Sequence, residues 1–260
     1  MSRFACRATR IRKIMKKSLK TWAFAITVVL AMQMPVLAGE MPAGGEIIWT
    51  TSIPQAVDSA SAGHRPVLVD VWAVWCAPCK LMEEKVWPDP GVRERMARFV
   101  PLKVDADANE VFTARYDAEV LPATLFLDGK GRLITKLTGY AGVDRLSRIM
   151  DAVVSGYDDY MVLKESKADP DQAMQLATYY ENCENSFEAA SILRKAIKKA
   201  KKGASLQLPD LELQLAETLL LTDRPEQGAR NLERLAEDGS DPDTRSRAQV
   251  ALDQYRAGLE

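Results

Sequence analysis

At 260 residues, with 35 basic and 36 acidic side chains, the chain is near neutral and long enough for two cores. That balance does not suggest a nucleic-acid binder, which would want a basic face. Four cysteines and a single histidine exclude a disulfide-stapled scaffold and leave too few soft ligands for a zinc site.

The first twenty residues hold eight Lys or Arg and no acid, and Thr21 to Ala38 is apolar. Small residues at Val36-Leu37-Ala38 complete the pattern of a secretory signal peptide over 1–38, cut after Ala38. An uncleaved anchor is the alternative, but the apolar stretch is short for a span and Pro35 interrupts it. The start at Met1 or at Met15 is left open. Cleavage would carry off Cys6 and leave 27 bases against 36 acids, near −9. The expected location is periplasmic or secreted.

Residues 39–45 read as a flexible lead, and Ile47-Ile48-Trp49 as an edge strand. Ser52 to Gly63 reads as a helix capped by Ser52, with Pro54 in its first turn. His64 follows in a loop as a surface residue. The β-branched run Val67, Leu68, Val69, Val71 reads as a buried strand. Cys76-Ala77-Pro78-Cys79 comes next, and Lys80 to Val86 has the spacing of an amphipathic helix.

Two thiols thus sit where a buried strand turns into the first turn of a helix. Cysteines three apart there share a face and are close enough for a disulfide. Free backbone N–H groups and the positive end of the helix dipole favour a thiolate at Cys76. Pro78 fits that turn, where its missing N–H costs nothing. Cys76 is therefore the expected exposed nucleophile, with Cys79 one turn inward as the resolving thiol. Half a zinc site is the competing account, and no second ligand pair supports it. Asp70 is the one carboxylate in the strand; it either faces solvent or is buried with a raised pKa. Trp75 beside Cys76 offers a flat contact surface, Trp72 is packing, and Trp87 is a core or groove-edge residue.

Further on, Val92 to Phe99 reads as a helix, Val100 to Val104 as a strand and Glu110 to Tyr116 as a helix. Asp105 and Asp107 between them read as capping and solvation, not as a cation site. Thr124 to Leu127 and Leu133 to Leu137 read as strands joined by the hairpin turn Asp128-Gly129-Lys130-Gly131, and Val143 to Val154 as a closing helix.

W-C-A-P-C-K after an apolar strand resembles the thioredoxin superfamily. Asp70 six residues upstream, Leu121-Pro122 in E-V-L-P-A-T-L-F-L and Gly139 in L-T-G-Y match its other motifs in order. The segment Lys85 to Val92 is more similar to the C-terminal domain of DsbD-type thiol:disulfide interchange proteins. The resemblance covers 46–156 and implies an α/β fold with a central mixed sheet and flanking helices. It implies that Asp70 is buried and takes the proton of Cys79, and that the bond before Pro122 is cis. Substrate contact would come from Trp75, Ala77, Pro78, Leu121 and Pro122, with the Cys76–Cys79 disulfide in place of any cofactor or metal. Two positions depart from the family: Glu84 replaces a kinking proline, and the lysine beside the buried acid falls at Pro101, leaving Lys103 as a weak substitute.

From residue 157 to 260 strand signals stop. An offset of 39 aligns Leu176-Ala177 with Leu215-Ala216 and Leu193 with Leu232, resembling tetratricopeptide-type helical repeats of about 34 residues. About two units is fewer than an independent array needs, so this all-α region should lean on the first domain or on a protein partner. The basic run Arg194 to Lys202 suits a helix C-terminus, and Cys183 reads as an unused thiol. The expectation is an exported thiol–disulfide oxidoreductase, reducing disulfide-bearing proteins with electrons from a thiol donor in solution or on a membrane. With no histidine between the cysteines, its potential is expected below about −180 mV. A scaffold using the helical repeats, or an oxidase or isomerase with the same site, stays open.

Overall fold

The computed structural model describes residues 45–166, 169–203 and 205–259. The expected signal peptide, nearly all of the flexible lead and Cys6 lie outside them. Four strands and eleven helices follow in the described residues. They are α1 (Ile53–Gly63), β1 (Val67–Trp72), α2 (Ala77–Lys85), α3 (Pro90–Met96), β2 (Val100–Asp105), α4 (Glu110–Arg115), β3 (Ala123–Leu127), β4 (Leu133–Thr138) and α5 (Val143–Ser155). Then come α6 (Tyr157–Glu165), α7 (Pro170–Asn182), α8 (Ser186–Gly203), α9 (Leu208–Leu220), α10 (Pro225–Asp238) and α11 (Pro242–Ala257).

The sheet has the order β2-β1-β3-β4 and is mixed: β1 runs parallel to β2 and antiparallel to β3, and β4 is antiparallel to β3. Central β1 is buried on both faces, which is why it reads as a continuous apolar run. Period two divides it. Val67, Val69 and Val71 join Ala56 and Ala60 of α1 and Phe112 of α4. Leu68 faces the other way, to a core with Met82 of α2, Met96 of α3 and Ile149 of α5. This is the thioredoxin-like architecture, followed by a helical region.

Ser52 accepts the Gln55 N–H at 3.4 Å and starts α1 as expected. Two boundaries differ. Ile47–Trp49 is not a strand: pairing is confined to a bridge between Thr50 and Leu102. Lys103 donates its N–H to Thr50 on that edge, but Pro101 has none to offer, so the ladder stops. Helix α3 begins two residues before Val92, because Asp89 accepts the N–H groups of Gly91 (2.9 Å) and Val92 (3.0 Å). It ends early, and Phe99 turns into the core.

The second core does not stop at α5. It continues through Tyr157 and Tyr160 of α6 and Tyr179 and Tyr180 of α7 to Leu193 of α8 and Leu211 of α9. The α6 tyrosines hold the β3–β4 turn. Tyr160 donates to buried Asp128 (3.0 Å), and Tyr157 accepts the Gly129 N–H (3.0 Å). Asn185 donates to the Ile134 carbonyl at 2.7 Å. Leu213, Leu232 and Leu252 of the last three helices form a separate small core. No helix of the described residues is long and apolar enough to cross a membrane.

Candidate active site

Cys76 and Cys79 are joined by a disulfide, with Cα atoms 5.3 Å apart. Cys76 is the N-cap of α2, its sulfur accepting the Cys79 N–H at 3.2 Å. A sulfur there occupies the place an Asp or Ser oxygen takes at other helix starts, where developing negative charge is favoured. Ala73, half-buried Trp72 and Leu121 pack around the pair.

One expectation is corrected here. Cys76 is only 2% exposed and Cys79 6%, so in this oxidised form the first cysteine does not stand out into solvent. Turning its sulfur down onto the helix N-terminus and against Leu121 is what covers it. The exposed surface belongs to its neighbours Val74, Trp75, Ala77 and Pro78, and to Val120 next to Leu121. Leu121–Pro122 is cis. The Gly139 N–H donates to the Pro122 carbonyl at 2.8 Å, and its φ of 80° lies where glycine has no steric penalty.

Asp70 is 2% exposed, on the face of β1 toward α2. Burial pushes its pKa up to about 7; the Lys103 ammonium opposes that rise and the Glu83 carboxylate adds to it. Lys103 Nζ lies 3.7 Å from Asp70 Oδ2 and is also paired with Glu83. It sits over the rings of Trp72 (5.2 Å) and Trp49 (5.8 Å). The weak substitute is thus the actual neighbour of the acid: the parallel register sets Asp70 opposite Lys103, while Pro101 lies opposite Leu68. Among the described residues, no hydrogen bond joins Asp70 directly to either cysteine.

Sequence reasoning missed three participants. Glu83 sits one helical turn past Cys79 and reaches back to Lys103. Trp87, 4% exposed, brings its indole N–H close enough to the Asp70 carboxylate to oppose the rise in its pKa. Asp107, read as a capping residue, accepts the Trp75 indole N–H at 2.9 Å and holds that exposed ring beside the disulfide. Cys183 is buried, and burial pushes its thiol up to about 12, which removes its nucleophile. Among the described residues, no group of three or more His, Cys, Asp or Glu gathers as a metal site.

The family model described as a thioredoxin-like domain matches residues 53–154. A thioredoxin of Mycobacterium bovis is 32% identical over 107 residues, which is 41% of this chain and 89% of that protein. The chain belongs to the thioredoxin family. The thiol:disulfide interchange protein DsbD of Ralstonia nicotianae is 32% identical over 111 residues, 39% of this chain but only 18% of that relative's length. A solved thioredoxin of Thermus thermophilus is 26% identical, with a TM-score of 0.40, and covers 44% of this chain and 91% of its own. In a thioredoxin-family chain, a C-x-x-C pair on this helix start is a thiol–disulfide oxidoreductase couple. The redox group is part of the protein itself.

Proposed function

We propose that this thioredoxin-family protein is exported and reduces disulfides of partner proteins. In the reduced state the Cys76 thiolate attacks one sulfur of a client disulfide, and the client's other sulfur leaves as a thiolate. Cys79 then gives its proton to Asp70, directly or through one water, and attacks Cys76 Sγ. The client leaves fully reduced, two electrons having passed to it, and the Cys76–Cys79 disulfide is left behind. A thiol donor, in solution or on a membrane, returns the electrons by the same exchange in reverse.

The observation that carries this reading is the disulfide on the α2 N-terminus with a carboxyl of pKa about 7 buried behind it. Trp75, Ala77, Pro78, Leu121 and Pro122 would form the client surface, the Leu121 backbone pairing with an extended client segment. The basic then apolar composition of residues 1–38 supports export. The division at about residue 156 into a thioredoxin-like domain and a tetratricopeptide-like region that docks a protein belongs to the same proposal.

A Cys79→Ser variant tests it, because removing the resolving thiol should strand clients on Cys76 as mixed disulfides that a reductant releases. No trapped species from an exported extract, or equal trapping by a Cys76→Ser variant, would overturn it. The equilibrium with glutathione separates the direction: a potential near the strongly oxidising figure of about −120 mV would mark an oxidase instead.

A further inference from the structure

Helix α2 ends at Lys85, and the chain turns through Val86, Trp87 and Pro88 before Asp89 caps α3. In that turn the Trp87 backbone N–H donates to the Met82 carbonyl at 3.0 Å, and Pro88 disfavours a further helical residue before it. The Trp87 ring meets Trp49 edge to face, 5.2 Å between centroids. Trp49 in turn lies beneath Lys103 Nζ (5.8 Å), the ammonium paired with Asp70. Trp87 thus reaches the acid from the α2–α3 turn, as Lys103 does from β2.

The Trp87 indole N–H is buried and faces the Asp70 carboxylate, and no other acceptor comes to it among the described residues. The ring lines a cavity of about 360 Å³ beside the bridge segment, but its nitrogen is not exposed to that space, so water there cannot serve it. On the acid's side, Lys103 Nζ at 3.7 Å supplies charge but lies beyond hydrogen-bond length. A buried carboxylate needs donors when it is ionised and far fewer when it is protonated. A donor with no other acceptor and an acid short of donors complete each other.

We propose that Trp87 is a positioning residue for the resolving step: its indole N–H closes on the Asp70 carboxylate while the acid is ionised and lets go once the acid is protonated. The inference rests on the proposed role of Asp70 as the base for Cys79. In that step the Cys79 thiol loses its proton to Asp70, and the Cys79 sulfur attacks Cys76 Sγ. The client sulfur leaves with the electron pair of the broken bond. A neutral donor suits this step better than a second cation, which would hold the carboxylate ionised and weaken it as a base. The charged groups packed around the pair are Lys103 from β2, Glu83 from α2, Arg93 from α3 and Glu46 from the segment before the bridge.

In the oxidised full chain labelled with ¹⁵N, the Trp87 indole N–H resonance should move with the midpoint of Asp70, about 7. Asp70→Asn should abolish the movement, which separates Asp70 from the other charged groups. The Trp75 resonance, held by Asp107, should not follow that midpoint. Trp87→Phe assigns the signal and should raise the Asp70 midpoint by about one unit, the worth of one hydrogen bond to a charged group. Benzothienylalanine at position 87 keeps the fused rings without the N–H and should give the same rise, which covers the case in which Phe leaves a void. With less Asp70 ionised, both variants should resolve a mixed disulfide severalfold more slowly at pH 6 and no more slowly at pH 9. A Trp87 resonance that stays flat from pH 5 to 9 or still titrates in Asp70→Asn would overturn the proposal. So would an Asp70 midpoint unmoved in both variants, or equal slowing at the two pH values. The resonance measurements need no client, so their failure and a failure to trap clients are distinct results.

Discussion

Lys103 Nζ lies 3.7 Å from the Asp70 carboxylate, and the two residues are register partners across the parallel β1–β2 pair. Despite that contact, burial keeps the Asp70 pKa near 7, so desolvation outweighs one adjacent ammonium. The cation is shared with Glu83, which divides its effect. Replacing it by an isosteric apolar chain, Lys103→Met, removes the one charge that lowers the pKa and leaves Glu83 uncompensated. The Asp70 titration followed by carbon NMR should then move up by about one unit or more. An unchanged midpoint would show that Lys103 contributes no tuning.

The same acid should mark the pH dependence of stability. Its folded pKa of about 7 lies above the usual unfolded value of about 3.9. Between those limits the folded state keeps a proton that the unfolded chain has released, so stability falls as pH rises through the window and levels off above about 7. Asp70→Asn removes this dependence. Urea unfolding of the oxidised protein should find the variant little changed at pH 4 and more stable at pH 8, by up to roughly 4 kcal/mol. A variant less stable than the wild type at pH 8 would contradict the buried-acid assignment.

Trp75 is 65% exposed, yet its indole N–H is fixed by Asp107 from the loop after β2. An exposed ring held in one orientation loses little entropy on meeting a partner. Trp75→Ala should therefore lower kcat/KM for a protein disulfide by about tenfold, in keeping with aromatic anchors at interfaces, and leave reduction of a small disulfide nearly unchanged. Asp107→Ala should give a smaller loss of the same kind. Equal losses on both substrates would mean that the ring acts on the disulfide itself.

Legibility divides along physical lines. The β1 run, the Cys76–Cys79 turn, the Ser52 cap and the hairpin around Asp128 to Gly131 are local signals, readable because a few consecutive residues determine them. The place of Lys103 beside Asp70 was not, because it depends on the register of two strands more than thirty residues apart. Glu83 was readable in principle, one turn past Cys79, but only once Lys103 was known to be there. Trp87 and Arg93 come to line one cavity through packing of the bridge segment against α2 and α3, which leaves no sequence pattern. The covering of Cys76 follows from its capping bond and from Leu121, a residue 45 positions later.

In the helical region Gly228 marks a close approach of α10 to α9. A Cβ there would lie 2.7 Å from the Ala216 carbonyl oxygen, 2.8 Å from Leu220 Cδ2 and 2.9 Å from the Leu220 nitrogen. Backbone atoms cannot step aside as a flexible side chain does. Gly228→Ala gains about 1 kcal/mol of helix propensity, but separating the helices costs about 1–3 kcal/mol, so a net loss is expected. Hydrogen exchange should show it as faster opening of α10 and α11, whose small core is separate from the main one. A stabilised variant would mean that the helices part freely.

The main core runs from Leu68 in the sheet to Leu211 in α9 without a break, and Tyr160 stands at its middle. It is fully buried, stacks on Tyr179 at 4.8 Å and donates to Asp128, whose other partners are Arg132 and the turn backbone. Removing only the hydroxyl, Tyr160→Phe, leaves Asp128 with those partners and should cost roughly 1–2 kcal/mol. Tyr160→Ala also opens a cavity beneath the tyrosine cluster and should cost roughly 3–5 kcal/mol. Because the two halves share this core, both variants should lower the unfolding midpoint of sheet and helices together. Amide exchange in β4 and in α7 should rise in parallel, whereas loss of protection in α7 alone would mean that the helical region folds independently of the sheet.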